Sequence, residues 1–252
     1  MMARLAGKVA VVTGGTKGMG RHFVDALIME GARVAVLARA SPQAQALARE
    51  YRDDVLVLDC DVTESDTVDR AVAEVAAHFG GVDILVNNAA IFEPFLLERA
   101  TDDQVMRHIA VNILGPIWCT RACIPHLRVA RGQVVTVSSE SVRMPFPFLT
   151  VYAATKAAVE TLSRGLRDEL RADGIRVAVL RSGSVASGPG DRNWDPDVTA
   201  AFFDTISKSG HAAFAGEAAD PRTMAQALIA MLALPADVTL DLVEARATRS
   251  TA

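Results

Sequence analysis

Three residues of this sequence have the types and spacing to move a proton: Ser139, Tyr152 and Lys156. Tyr152 and Lys156, in Val151-Tyr152-Ala153-Ala154-Thr155-Lys156, stand at i and i+4 of a strongly helical run and so share one helix face. A free tyrosine has a pKa of about 10 and is a poor base at neutral pH. A neighbouring ammonium favours the phenolate and draws that value toward working pH. Such a phenol can protonate a carbonyl oxygen as hydride reaches the carbon, or take the proton of an alcohol in the reverse direction. Ser139, at the end of Val137-Ser138-Ser139, is placed to hydrogen-bond and orient the same oxygen. Each residue alone has a plain reading as a packed tyrosine, a solvated lysine or a surface serine. Their order and spacing together argue for chemistry.

A hydride needs a carrier, and the start of the chain offers it a seat. The run Val9–Thr13 ends in Thr13-Gly14-Gly15-Thr16-Lys17-Gly18-Met19-Gly20, which opens an amphipathic stretch, Gly18–Glu30. The glycines Gly14, Gly18 and Gly20 follow the spacing G-x-x-x-G-x-G. A turn without side chains lets backbone approach a pyrophosphate, and the helix N-terminus adds unpaired N–H groups and a positive dipole end. Dinucleotide binding is therefore expected. The second strand ends in Val36-Leu37-Ala38-Arg39, with no acid to hold the adenosine ribose diol. Arg39 and Lys17 instead bring positive charge to where a 2′-phosphate lies, so NADP(H) is expected over NAD(H). Asp61 is placed to cap the next helix or to meet the adenine amino group. In Asn87-Asn88-Ala89-Ala90, small and amide residues can pass close to the cofactor and tie neighbouring strands.

These groups need a scaffold, and its pattern runs the length of the chain. Apolar, β-branched runs at Val9–Thr13, Arg33–Leu37, Val55–Leu58, Asp83–Val86, Gln133–Val137, Arg176–Leu180 and Thr239–Val243 read as strands. Helical patterns lie between them at Gly18–Glu30, Pro42–Arg52, Ser65–Phe79, Asp102–Arg128, Val151–Ala172 and Pro221–Leu232. Thr101 is a candidate N-cap and Gly174 a candidate C-cap. Continuous apolar strands alternating with helices predict an α/β Rossmann fold, a doubly wound parallel sheet of about seven strands. The length of 252 residues suits one domain over residues 1–252. From Ser182 to Glu217 the rhythm breaks into Gly, Ser, Pro and Asp, with a short helical pattern at Val198–Ser207. Trp194, Phe202, Phe203 and Phe214 are costly to leave in water there, so this stretch is expected to form a substrate lid.

Composition closes off other functions. Net charge is −4, with no basic stripe or block, which argues against nucleic acid. No apolar run approaches the ~18 residues that span a bilayer, and the N-terminus shows no signal-peptide pattern, so a soluble cytoplasmic protein is expected. Cys60, Cys119 and Cys123 cannot form an even disulfide framework. Cys119 and Cys123 share a helix face, yet no histidine or carboxylate stands at ligand spacing beside them, so no metal site is expected.

The combined motifs resemble the short-chain dehydrogenase/reductase family, in its single-domain branch. The match runs from Gly7 to about Val185, through Thr13–Gly20, Asp61, Asn87-Asn88-Ala89, Asn112, Ser139, Tyr152 and Lys156. The resemblance implies catalytic roles for Asn112, Ser139, Tyr152 and Lys156, with Asn112 holding a water that relays protons to Lys156. From its residue type alone, Asn112 reads only as a local kink or a polar interior group. The resemblance also implies cofactor contacts from Gly14, Thr16, Lys17, Gly18, Met19, Gly20, Arg39, Asp61, Val62, Asn88, Ala89, Tyr152, Lys156, Gly183 and Val185. It further implies a homotetramer or dimer built on the helices Asp102–Arg128 and Val151–Ala172. The sequence departs from the family where Pro-Gly usually follows the sixth strand: Arg181-Ser182-Gly183 stands there, with Ser187 a stand-in for a threonine often found further on. Ala90 replaces a glycine, and the glycine pair after the last strand is missing.

The substrate pocket is expected between Ser139–Leu149 and Ser182–Glu217, whose aromatics favour a lipophilic ketone or secondary alcohol. Arg143, Arg181 and Arg192 could each bind a single anionic group. Two other readings compete with the oxidoreductase. A catalytically silent dinucleotide sensor typically loses the serine, tyrosine or lysine, all present here. An epimerase or dehydratase acting on a nucleotide-sugar generally carries a longer C-terminal part.

Overall fold

The computed structural model describes residues 3–186 and 194–248. Among these, strands β1 (Val9–Thr13), β2 (Arg33–Ala38), β3 (Val55–Asp59), β4 (Ile84–Asn87), β5 (Gln133–Ser139), β6 (Arg176–Ser182) and β7 (Leu242–Ala245) form one parallel sheet. Its order is β3-β2-β1-β4-β5-β6-β7, and the order reverses between β1 and β4. All five residues of β1 are buried, as expected for strands covered on both faces. One face carries α1 (Gly18–Met29), α2 (Pro42–Tyr51) and α9 (Pro221–Leu232), whose Phe23, Leu47 and Leu228 pack on Val12 and Val34. The other carries α3 (Ser65–Phe79), α5 (Gly115–Ala130) and α6 (Thr150–Glu169), packed on Val11 and Leu85. The fold is thus the doubly wound Rossmann sheet expected from the strand–helix alternation.

Cys119 and Cys123 lie fully buried in that second core. Burial pushes the Cys123 thiol up to about 12 and Cys119 also well above its usual value, so both stay protonated at neutral pH. Among the described residues no group of three or more His, Cys, Asp or Glu side chains is arranged to hold a metal ion. No helix among them is long and apolar enough to cross a membrane.

Five elements differ from the sequence pattern. β5 and β6 run past Val137 and Leu180, pairing Ser138 with Arg181 and Ser139 with Ser182; polar residues continue the ladder because backbone pairing, not side-chain propensity, sets its end. β7 starts three residues later than the Thr239–Val243 run, since its register is fixed by pairing of Val179–Ser182 with Leu242–Ala245. The helix expected over Asp102–Arg128 is broken. It comprises α4 (Asp102–Ile109), a π-helical turn at Ala110–Leu114, and α5. The helix expected to reach Ala172 stops at Glu169, and Gly174 (φ 72) closes the following 3-10 turn. Thr101 caps α4 as expected, in a reciprocal capping box with Gln104.

The segment after β6 folds into α7 (Pro196–Lys208) and α8 (His211–Ala215). Asp195 caps α7 by accepting from the Asp197 and Val198 N–H groups. Phe202 and Ile206 turn inward onto Phe146 and Leu149, while Phe203 stays half-exposed. Ser187 and Arg192 lie outside the described residues.

Candidate active site

The carboxyl ends of β1 and β4 meet at the point where the strand order reverses, the place where open sheets of this kind bind ligands. Gly14 and Gly18 adopt φ of 65 and 54, conformations that favour glycine. At Gly20 the need is for space: a Cβ would lie 2.3 Å from Gly14 O and 2.5 Å from Asn88 Nδ2. Asn88 is the tie that makes this packing tight. Its amide donates to Thr13 O (2.9 Å) and Gly14 O (3.2 Å), while Thr13 Oγ1 accepts from the Asn88 and Ala89 N–H groups. Asn88 and Ala89 therefore shape the turn. No side chain caps the N-terminus of α1 at Lys17, so the chemistry of this cradle fits a diphosphate. Replacing Gly20 with alanine is expected to push α1 off the turn and weaken dinucleotide binding at least tenfold, or about 1.4 kcal/mol; fluorescence titration of the folded variant measures it.

Further along the same edge, Lys17 and Arg39 are exposed. The Arg39 side chain has no ion-pair or hydrogen-bond partner among the described residues. Asp61 does not cap α3, which starts at Ser65 behind Glu64. Its Oδ1 instead accepts from the Thr63 N–H (3.0 Å) and hydroxyl (2.8 Å), closing the turn before the helix. Val62 is buried against Gly115, with only 8% of its surface exposed.

Ser139 reaches the same rim at the end of β5, and α6 lays Tyr152 and Lys156 beside it. The Tyr152 and Ser139 side chains line the same cavity. Lys156 is buried, its Nζ donates to Val137 O (2.9 Å) and lies 5.8 Å from the centre of the Tyr152 ring. Burial brings the ammonium down to about 8. The tyrosine moves opposite to the sequence expectation. Burial lifts its phenol to about 12, the Ser139 side chain opposes this, and the Glu140 carboxylate adds to it. Desolvation of the phenolate outweighs the pull expected from Lys156. Tyr152 thus stands ready as an acid.

Asn112 sits in the π-helical turn, and its side chain explains that turn. Its Oδ1 accepts from Ile91 N–H (2.8 Å); its Nδ2 donates to Ile91 O (2.8 Å) and to Thr155 Oγ1 (3.1 Å). Thr155 Oγ1 in turn donates to Tyr152 O (2.7 Å). Asn112 thereby joins the segment after β4 to the helix that carries Tyr152, and the widened turn gives it the room.

Ser139, Tyr152, Lys156, Met19, Asn88, Gly183 and Val185 all line one cavity of about 370 Å³. Its outer wall is aromatic. Phe92 lies 5.6 Å from Tyr152 and 5.0 Å from Trp194, ring centre to ring centre, and Phe146 and Phe202 close the side toward α7. Gly14, Thr16, Lys17, Gly18, Gly20, Arg39, Asp61, Val62, Ala89 and Asn112 are outside this cavity, the first nine near the carboxyl ends of β1 to β4 and Asn112 behind Tyr152. Two wall residues were not singled out from sequence. Phe92 gave no local signal, because a lone aromatic after a strand is usually packing. Glu140 had one: a carboxylate directly after the serine, where β5 gives way to a 3-10 turn.

Arg143 and Arg181 do not offer free guanidinium groups to a substrate. Arg181 makes two bonds to Glu160 (2.8 and 2.6 Å) and one to Glu244 (3.0 Å), and Arg143 bonds the other oxygen of Glu244 (3.1 Å). Burial pushes Glu160 upward, but the Arg181 and Ser138 hydrogen bonds outweigh it and hold the carboxyl below its usual value. This network straps β5, β6, β7 and α6 together behind the altered Ser182-Gly183 turn.

A parallel sheet with a glycine turn at its switch point, and a Tyr–Lys helix beside the serine of the next strand, defines the Rossmann-fold oxidoreductases. The short chain dehydrogenase family profile matches residues 8–197. A sorbitol dehydrogenase from Cereibacter sphaeroides is 35% identical over 204 residues, 80% of this chain and 77% of that protein. A solved short chain dehydrogenase from Burkholderia cenocepacia in complex with NADP has a TM-score of 0.81 at 29% identity, covering 96% of this chain and 97% of that one. A 3-ketoacyl-(acyl-carrier-protein) reductase from Brucella melitensis complexed with NADH gives 0.83 at 30% identity, over 98% and 100% of the two chains. The chain belongs to the short chain dehydrogenase family and is an oxidoreductase acting on CH–OH donors.

Proposed function

We propose that this protein reduces the carbonyl of a largely apolar ketone, or oxidises the corresponding secondary alcohol, with NADP(H). The observation that carries this reading is that Ser139, Tyr152 and Lys156 line one aromatic-walled cavity, with Lys156 one helical turn from the phenol. When bound, the dinucleotide supplies or accepts the hydride. Tyr152 donates its proton to the developing alkoxide as the carbonyl is reduced, and takes it back in oxidation. Ser139 hydrogen-bonds the same oxygen and fixes its direction. Lys156 holds the nicotinamide ribose hydroxyls and places positive charge beside the phenol. Asn112 holds Thr155 and the Tyr152 backbone in place, and helps hold the water that relays protons to Lys156. Gly183 and Val185 line the nicotinamide end, and α7–α8 serve as the lid over a single catalytic domain.

Arg39 carries the cofactor preference. It is exposed at the end of β2 with no acid paired to it among the described residues, which suits a 2′-phosphate. One similar structure holds NADP and the other NADH, so the relatives leave this choice to the chain's own residues. Arg39→Asp is expected to raise the KM for NADPH by about 10- to 100-fold while changing that for NADH much less. Equal effects on the two cofactors would remove Arg39 from the phosphate site.

The reading as a whole is tested by NADPH and NADH oxidation against aromatic, alicyclic and aliphatic ketones. Turnover of apolar ketones with NADPH supports it; dinucleotide binding without turnover across the panel overturns it. A cytoplasmic homotetramer or dimer completes the proposal, with α4, α5 and α6 as the contact helices. Met106 on α4 is 60% exposed and Val129 on α5 is 89% exposed, which gives that side apolar surface to cover.

A further inference from the structure

Glu140 follows Ser139 directly and is 4% exposed in the cavity wall. A carboxylate so buried needs a partner. Arg246, just past β7, donates from Nε to Glu140 Oε2 at 3.0 Å. The packing around this pair leaves no slack. A Cβ on Gly183 would lie 3.1 Å from Glu140 Oε2 and 3.2 Å from Arg246 Cα. The same guanidinium faces outward onto α8, where it covers the Phe214 ring at 3.9 Å from its centre and donates to Phe214 O. Phe214 packs on Phe146, which belongs to the cavity wall. The other end of α8 is tied down separately, through His211 Nε2 against Pro145 O (3.2 Å). One arginine thus touches both the carboxylate beside the serine and the helix that closes the apolar side of the pocket.

We propose that Arg246 and Glu140 are a positioning pair, which ties the α8 wall to the end of β5 that carries Ser139 and so sets where a substrate carbonyl meets Ser139 and Tyr152. The inference rests on the hydride-transfer reading of this site. It also gives a reason for an arginine just past the last strand, where the chain otherwise needs only to end the sheet. Glu140 adds an electrostatic effect to the geometric one. The groups facing it are Arg246 and Glu244 from the β7 segment, the Ser184 N–H after β6, and Tyr152 from α6. Its negative charge favours the protonated phenol.

The test uses Arg246→Met, Arg246→Lys, Phe214→Leu and Glu140→Gln in the full chain. Arg246→Met is expected to raise KM for the ketone that wild type reduces best by about tenfold or more, with the Kd for NADPH within about twofold. Arg246→Lys restores part of that loss, because it keeps the charge against Glu140. Phe214→Leu, which leaves the buried ion pair in place, shifts KM the same way and keeps the question open to measurement if Arg246→Met does not fold. Hydrogen exchange of the ligand-free protein is expected to show faster exchange of the α8 amides in Arg246→Met, with α9 unchanged. Glu140→Gln keeps an acceptor oxygen but loses the charge, and should move the alkaline limb of alcohol oxidation to lower pH by about half a unit or more. Wild-type KM in both Arg246→Met and Phe214→Leu, or unaltered α8 exchange in Arg246→Met, overturns the inference. A wild-type enzyme that reduces no ketone overturns the functional reading instead, and the exchange measurement still decides the α8 contact.

Discussion

Replacing Tyr152 with phenylalanine is expected to lower kcat for ketone reduction by about 10²- to 10⁴-fold while leaving NADPH binding nearly intact. The ring keeps its contact with Phe92 and its place on α6, so the loss falls on the hydroxyl alone. That hydroxyl faces the cavity beside Ser139, and burial holds its proton to about pH 12. Reduction needs the protonated phenol and should run evenly across neutral pH. Oxidation needs the phenolate, so its rate should climb as pH rises toward the phenol's value, and a bound cationic nicotinamide should bring that climb to lower pH. The phenylalanine variant should lose the climb along with the rate. Stopped-flow single-turnover reduction, with oxidation followed from pH 6 to 10.5, measures both. A variant that keeps more than about a tenth of wild-type kcat would remove Tyr152 from the proton transfer.

Lys156→Met is expected to cost activity and add stability. The lysine is buried with a hydrogen bond to Val137 O, and burial lowers its ammonium from 10.5 to about 8. The folded state therefore binds fewer protons than the unfolded chain between those two values, so stability rises with pH across that window. Below pH 8 the full cost of burying the charge is present, on the order of 3 kcal/mol. Methionine keeps the stem, removes the charge and gives up the Val137 bond, so a net gain of about 1–3 kcal/mol is expected at pH 7. The gain should shrink as pH approaches 10.5, where the wild-type lysine is already neutral when folded. Meanwhile kcat should fall about 100-fold or more, since the charge beside Tyr152 and the ribose contact are both lost. Urea titrations of the ligand-free proteins at pH 7 and pH 10.5 supply the comparison. An unstabilised variant at pH 7, or an equal gain at both values, would mean that Lys156 is not desolvated. A buried cation retained at such a cost fits a group kept for function.

Most of the scaffold was legible in the chain. Strands such as Val9–Thr13 announce themselves because a strand covered by helices on both faces must be apolar throughout. The glycine turn was legible for a related reason: Gly14, Gly18 and Gly20 serve backbone conformation and close approach, needs that residue type states directly. Tyr152 and Lys156 were legible because both stand on one helix, where sequence spacing is spatial spacing. Polar ladder ends were not. Nothing in Ser138-Ser139 or Arg181-Ser182 marks them as strand, yet each pairs across the sheet because its neighbour does. Asn112 looked like any polar interior residue of a long helix. Its π-helical turn follows from bonds to Ile91 and Thr155, which lie far from it along the chain.

The Tyr152–Lys156 pair shows where the division falls. Its identity, its shared helix face and its partnership with an upstream serine all follow from short-range spacing, which the order of residues specifies without help. The direction of its pKa shifts does not. The phenol rises and the ammonium falls because burial between α6 and the sheet disfavours the charged form of each; for Lys156 the same burial brings the ammonium down to about 8. The fates of Arg143, Arg181 and Arg246 were settled in the same way. By residue type, Arg143 and Arg181 could each bind an anionic group, and nothing marked Arg246. In the fold, Glu244, Glu160 and Glu140 reach them from distant segments, so charge that looked available to a ligand holds the site together instead.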